Sequence, residues 1–256
     1  MRRQPDERRD DEDPQHRGVF VPHVALDVPA ALALGARVGQ IGFVAAEKID
    51  GEGICFAAVD RLVNAGRLAE LGATILGALA GGQDGDAAAR DLVARAAITY
   101  LEGYLWDEAD AKAAFVYAAN LAHEAGRRVA LSLSDGFVVD RHRPEFLELV
   151  SGHIDILFAN EVEICSLYET ESFDDALQQV NHHCEIAALT RGAKGAVVIS
   201  GDEVHVIDAV KGVKVVDTTG AGDAFVGAFA VGLANGLGAV DAARLGCAWA
   251  SDSVTR

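Results

Sequence analysis

Cysteine is scarce and scattered: Cys55, Cys165, Cys184 and Cys247 are the four in 256 residues, and no two form a CxxC pair. That spacing argues against a disulfide framework or a zinc site and fits reduced thiols. Positive charge is the minority, with 22 Lys plus Arg against 39 Asp plus Glu and a formal net charge of −17. Sequence-independent adhesion to nucleic acid or anionic lipid needs clustered positive charge, so neither a nucleic acid nor a membrane partner is expected. A small anionic substrate stays admissible, because local backbone dipoles and a few arginines can overrule the net field. Long apolar runs are absent. The nearest approach, Val19–Ala36, is broken by Pro22, His23, Asp27 and Pro29, short of the ~18 residues that a spanning helix requires. Met1–Arg17 holds five arginines, six carboxylates and two prolines without an apolar stretch. It carries no targeting signal and reads as a disordered tail. A cytoplasmic location is expected.

What the chain does have is hydrophobic content, 50% of its residues, enough for one substantial core. From Ala96 onward, short β-rich runs alternate with helical stretches, the pattern of parallel strands joined by crossover helices. The candidate strands are Ala97–Leu101, Val129–Leu133, Ile154–Phe158, Ile186–Thr190 and Ala196–Ile199, with Val204–Ile207 and Val213–Val216 as a later, antiparallel pair. Glu108–Glu124, Pro144–Val150 and Phe173–Val180 carry helical spacing. Before residue 95 the periodicities are weak, with Ala58–Leu71 and Asp86–Ala96 as candidate helices. The expected organisation is a charged tail over 1–17, a region of uncertain structure over 18–95, and an alternating α/β core over 96–256.

The segment Lys214-Val-Val-Asp-Thr-Thr-Gly-Ala-Gly-Asp-Ala-Phe225 is the most informative. A β-branched run ends at Asp217, and Gly220-Ala221-Gly222 then turns the chain into a small-residue helix reaching about Ala234. The glycines clear the first turn of side chains, and its free N–H groups and positive dipole end favour an anion by ~0.3–2 kcal/mol. Asp223 would repel that anion unless it stands beside an attacking hydroxyl whose proton it accepts. An anion site with an adjacent carboxylate suits phosphoryl transfer. The competing reading is an ordinary first-turn acid on the helix dipole, with glycines for close packing. No GxxxxGK[ST] run occurs, so a P-loop is excluded. Gly220–Phe225 begins like GxGxxG but has Phe225 in place of the third glycine, and Asp241 opens a helical stretch instead of closing a strand. A dinucleotide site is therefore poorly supported.

Asp217-Thr-Thr-Gly-Ala-Gly-Asp-Ala-Phe225 resembles the second signature of the ribokinase-like (PfkB) carbohydrate and nucleoside kinases. Asn160-Glu161-Val162-Glu163 resembles the family's NxxE motif, and Thr190-Arg191-Gly192-Ala193-Lys194-Gly195 its TxGxxG turn. Tyr100–Trp106 and Asp140–Arg143 are similar to segments of its adenosine-kinase-like branch. The resemblance covers roughly residues 96–246 and implies a three-layer α/β/α fold around a mostly parallel sheet. It further implies an ATP-dependent phosphotransferase acting on a hydroxyl of a sugar or nucleoside. Asp223 would be the base, and the amides of Gly220, Ala221 and Gly222 the anion hole. Asn160 and Glu163 would act on Mg2+-ATP, Glu163 through water. Thr190, Gly192 and Thr219 would border the nucleotide, Gly195 would permit the turn, and Asp217 sits where relatives bind a monovalent cation. A homodimer is admissible.

Both ends depart from that pattern. The family's glycine pair followed by Asn, part of the lid over the sugar, has no match; Gly81-Gly82 lacks the Asn. Asp27 is the candidate for the early substrate-binding acid. After Leu245-Gly246 relatives continue through an Ala-rich helix that closes the adenine site, whereas here Cys-Ala-Trp-Ala-Ser-Asp-Ser-Val-Thr-Arg is expected to end abruptly. Mismatch at both ends of a matching centre is what a shifted reading frame or defective gene model produces, and it implies a missing or degenerate lid. The alternative function is then a catalytically impaired nucleotide-binding remnant. His182-His183-Cys184 reads as a surface or helix-end cluster and not a metal site, Tyr104 and Trp106 as packing aromatics. Arg141 and Arg143 are open between phosphate contact and surface ion pairing.

Overall fold

The computed structural model describes residues 53–57, 87–107 and 109–255. The tail over 1–17, Asp27, Ala58–Leu71 and Gly81-Gly82 lie outside the described residues.

Among the described residues seven strands form one sheet in simple chain order: β1 (Gly53–Ala57), β2 (Ala96–Glu102), β3 (Arg128–Ser132), β4 (Ile156–Asn160), β5 (Ile186–Thr190), β6 (Ala196–Ser200) and β7 (Glu203–Ile207). The first five run parallel; β6 pairs antiparallel with β5, and β7 antiparallel with β6. Among the described residues seven α-helices accompany them: α1 (Ala87–Arg95), α2 (Ala109–Glu124), α3 (Gly136–His153), α4 (Glu161–Leu167), α5 (Phe173–Val180), α6 (Ala221–Ala234) and α7 (Ala239–Ser253).

Strands β2 to β6 are apolar at nearly every position because both faces of the sheet are covered there. On one face Leu101, Leu131, Leu157 and Leu189 pack with Phe115 of α2, Phe146 of α3, Ile164 of α4 and Phe173 of α5. On the other, Ile98, Tyr100, Phe158 and Val198 pack with Phe225 and Phe229 of α6 and Ala242 and Ala243 of α7. Phe158 meets Phe229 edge-on at 5.2 Å between centroids, an arrangement that the ring quadrupoles favour. The expected three-layer α/β/α architecture with a mostly parallel sheet is present.

Several expectations on the elements change. Val213–Val216 is not a strand: Val215 and Val216 are 58% and 65% exposed, and the Val216 N–H donates to the Val254 carbonyl at the end of α7. A β-branched run is not sufficient without a neighbouring strand edge to pair with. The helix expected to open at Pro144 begins eight residues earlier, at Gly136, capped by the Asp135 carboxylate, which accepts the Phe137 N–H at 2.7 Å. Pro144 instead follows a break at His142 (φ −122°, ψ 22°), since proline cannot continue the helical bonding to the residue four back. The strand β1 falls in the weakly periodic region and was not expected.

Candidate active site

Parallel order brings the carboxyl ends of β2 to β5 to one edge of the sheet, where ligands of open α/β folds bind. Each strand ends in a polar residue there: Glu102, Ser132, Asn160 and Thr190, with Glu102 in register with Ser132 and Asn160 with Thr190. The first turn of α6 faces the same edge. Together they enclose a cavity of about 260 Å³ lined by Glu102, Tyr104, Asp135, Asn160, Glu163, Thr190, Gly222 and Asp223, among others.

At α6, Gly220 is the N-cap with φ 78°, a left-handed conformation that suits glycine. A Cβ on Gly220 or Gly222 would meet nothing within 4 Å, so the turn is open to a ligand. The Ala224 N–H makes the first helical bond, to the Gly220 carbonyl at 2.9 Å, and the Ala221 N–H turns back to Thr218 at 3.2 Å. The Gly222 amide belongs to the first turn, whose N–H groups lack a helical acceptor at any helix start. Asp217 and Thr219 stand in the exposed loop before the helix. The Asp217 carboxylate accepts the Thr219 N–H at 2.9 Å, and that bond holds its pKa below the usual range.

On the opposite wall, Asn160 and Glu163 form a reciprocal cap. The Asn160 Oδ1 accepts the N–H groups of Val162 and Glu163, each at 2.9 Å, while its own N–H and Nδ2 donate to the two Glu163 oxygens at 2.9 and 2.6 Å. Helix-capping and site-forming roles therefore coincide in these two residues. Thr190 lines the cavity. Gly192 and Gly195 shape the turn behind it. A Cβ on Gly195, at φ 89°, would lie 2.0 Å from the Ile207 carbonyl, so this position admits only glycine.

Glu102, which lines the cavity, is only 7% exposed. It accepts hydrogen bonds from the Tyr100 hydroxyl at 2.7 Å and the Ser134 hydroxyl at 2.5 Å. Burial, with the charges of Asp223 and Glu163, pushes its pKa up to about 7, against the pull of those two hydroxyls. Burial raises Glu163 as well, aided by Asp135. Tyr100 is pushed well above the usual phenol range by burial and by Glu102, so it remains a donor. Among the described residues, four carboxylates, Glu102, Asp135, Glu163 and Asp223, thus line the cavity, and no Lys or Arg does. A polyanion entering this site alone is repelled; one that brings a divalent cation is not. Among the described residues no three His, Cys, Asp or Glu side chains are grouped to hold a metal themselves. That donor set fits Mg2+, which keeps its waters and shares ligands with substrate phosphates.

Residues 73–256 match the family model described as pfkB family carbohydrate kinase. The chain belongs to that family. Among solved structures, a probable sugar kinase from Rhizobium etli CFN 42 is 45% identical with a TM-score of 0.63, the match covering 65% of this chain and 51% of that one. Adenosine kinase from Sinorhizobium meliloti is 44% identical with a TM-score of 0.63 and the same coverages. A curated ribokinase from Lactococcus lactis is 29% identical over 146 residues, 55% of this chain and 47% of the relative. The chain spans about half the length of the relatives that it matches.

The pfkB match runs past Leu245-Gly246 to residue 256. In the structure α7 continues through that point to Ser253, with Leu245 and Cys247 buried. The family match is thus wider at both ends than the roughly 96–246 expected from the motifs.

Of the residues singled out in the sequence, the fold brings Asn160, Glu163, Thr190, Gly222 and Asp223 into one cavity. Gly220 and Ala221 lie on the same turn; Asp217, Thr219, Gly192 and Gly195 border it in sequence without lining it. Glu102, Ser132, Ser134 and Asp135 were missed. The available signal was a single acid closing an apolar strand beside Gly103. The aromatic pair divides: Trp106 is 4% exposed and packs between Phe115 and Phe146, while Tyr104 faces the cavity. Arg141 and Arg143 pair with carboxylates. His183 bonds to the Tyr168 hydroxyl at 2.7 Å, in keeping with a surface role. Among the described residues no helix is long and apolar enough to cross a membrane.

Proposed function

We propose that this protein is an ATP-dependent phosphotransferase that moves the γ-phosphoryl group onto a hydroxyl of a sugar or nucleoside. The observation that carries the reading is the meeting of Asp223 and the open first turn of α6 with Asn160, Glu163 and Thr190 in one cavity of a pfkB-family chain.

In this reading the acceptor lies on the side of Glu102 and Tyr104 and the triphosphate on the side of Asn160 and Thr190. The acceptor oxygen attacks the γ-phosphorus as its proton passes to the Asp223 carboxylate. The bond to the β,γ-bridging oxygen breaks, and ADP leaves with that electron pair. Of the expected anion hole of Gly220, Ala221 and Gly222, the Ala221 N–H is engaged by Thr218; the Gly222 amide, with the helix dipole, stabilises the charge spread over the equatorial oxygens. Glu163, fixed by Asn160, would hold Mg2+ through water, and the ion would supply neutralisation of the phosphate charge. A monovalent cation near Asp217 belongs to the same reading. Glu102 would bind the acceptor: as a carboxylate it accepts a hydroxyl hydrogen bond, and as an acid it donates one.

The test is ADP release from Mg2+-ATP measured with adenosine, ribose and fructose in turn. Turnover with one of them supports the assignment, and likeness to the Sinorhizobium meliloti adenosine kinase makes adenosine the first choice. ATP binding without ADP release for any acceptor would replace it with the nucleotide-binding remnant.

A further inference from the structure

The wall that carries Glu102 and Tyr104 is held from outside the cavity. After β2 the chain makes a tight 3-10 turn over Gly103–Asp107. Its start is wedged against β3, where a Cβ on Gly103 would lie 2.7 Å from the carbonyls of Ser132 and Leu133. Its end is gripped by α3. Trp106 donates its indole N–H to Glu145 at 2.6 Å, and Lys112 of α2 donates to the same oxygen at 2.6 Å. The two Asp107 oxygens receive the Arg141 guanidinium at 2.6 Å and His142 Nε2 at 2.8 Å. Neighbouring residues of a regular helix point about 100° apart. Here Arg141 and His142 converge on one carboxylate because the helix breaks at His142.

The same bend reaches the opposite wall. Arg143 donates to the Ser166 carbonyl of α4 at 2.9 Å and pairs with Asp140 and Glu169, and the Ser166 hydroxyl donates to Asp140 at 2.6 Å. The helix so gripped begins with the Asn160–Glu163 cap. Within Asp140–Glu145, side chains thus grasp alternately the turn below Tyr104 and the helix of Glu163.

We infer that the bent segment Asp140–Glu145 is a positioning element, with Asp107 as its anchor, that sets the acceptor wall of the cleft for the reaction. The inference rests on the kinase reading above. Asp107 touches neither acceptor nor phosphate; it acts through Glu102 and Tyr104, at the head of the same turn. Loss of the anchor loosens that wall and leaves α6 and β5 undisturbed, so acceptor binding weakens while ATP binding does not.

The experiment compares the full chain with Asp107→Ala and Asp107→Asn by amide hydrogen exchange, thermal unfolding and calorimetric titration with adenosine and with Mg2+-ATP. In Asp107→Ala, exchange over residues 102–107 is expected to rise about tenfold with α6 unchanged. Adenosine affinity is expected to fall about tenfold, the change that about 1.4 kcal/mol of lost binding produces. ATP affinity should stay within about twofold, and the unfolding midpoint should shift little, as for other exposed ion pairs. Asp107→Asn, which keeps an oxygen for Arg141 and His142, should restore most of the adenosine affinity. Unchanged exchange in the turn overturns the inference, as does unchanged adenosine affinity in a loosened turn, or an equal loss of both ligands. If the unsubstituted chain bound Mg2+-ATP and no acceptor, the kinase reading would fail separately, and the acceptor role of the anchor would fall with it.

Discussion

Ser134 and Glu102 meet across the ends of β3 and β2, the hydroxyl donating to the carboxylate at 2.5 Å from a residue whose φ is +63°. A left-handed serine is uncommon and is held by its surroundings. Here the fixed hydroxyl keeps a carboxyl group in the floor of the cavity beside Asp223. The arrangement ties the stability of the fold to the protonation of its site.

Glu102 has a folded pKa of about 7 against an ordinary value of 4.5. Between those values the folded chain holds the proton and the unfolded chain has lost it, so this group's contribution to stability falls as pH rises. Above about pH 7 the decline is complete, at roughly 3 kcal/mol. Glu102→Gln should therefore be more stable than wild type at pH 8 and show little of that gain at pH 4.5 in urea unfolding. Equal effects at both pH values would count against the shifted acid. Ser134→Ala, by removing a hydrogen bond to the charged form, should move the Glu102 titration further up when followed by NMR.

Two glycines of one turn separate backbone strain from steric conflict. Gly192 has φ 57° with open space around it, whereas Gly195 at φ 89° faces the Ile207 carbonyl. Gly192→Ala should cost about 1 kcal/mol for the left-handed residue alone. Gly195→Ala should cost about 3 kcal/mol or more, because β7 must also give way. Denaturant midpoints of the two variants decide it, and similar values would contradict the packing described.

Asn160→Ala removes the side-chain acceptor for two amides of α4 and one partner of the Glu163 carboxylate. A cap of this kind contributes about 0.5–2 kcal/mol, so a loss in that range is expected from urea unfolding. Asn160→Asp retains the cap acceptor but places a second negative charge on Glu163. It should fold at neutral pH and bind ATP only at raised Mg2+.

A cavity lined by four carboxylates should discriminate sharply between free and cation-bound nucleotide. Titration with ATP in EDTA is expected to give an affinity lower by on the order of tenfold or more than titration in Mg2+. Glu163→Gln should narrow the difference by easing the repulsion. Equal affinities with and without the ion would contradict the electrostatic account.

The sheet and its layers were legible because burial on both faces forces apolar runs at β2 to β6, and such runs show without any tertiary knowledge. The small-residue turn at Gly220–Asp223 and the Asn160–Glu163 spacing were legible for a similar reason: each is a local device, complete within four residues. Glu102 was not. Its place in the site depends on register with Ser132 and on a hydroxyl 32 residues away, and a lone acid after an apolar strand looks like any surface residue. The true start of α3 was hidden by Pro144, which reads as a helix opening although the helix has already bent before it. At Val213–Val216 the strand propensity was present, and among the described residues no strand pairs with it.

The central claim is that Asp223 takes the acceptor proton while the α6 turn holds the phosphoryl group. The most direct test is steady-state kinetics of Asp223→Asn with Mg2+-ATP and the best acceptor, paired with ATP titration. The account predicts that kcat falls by about 10²–10⁴ while ATP affinity stays within about threefold. Near wild-type kcat in a variant that still binds ATP would contradict it.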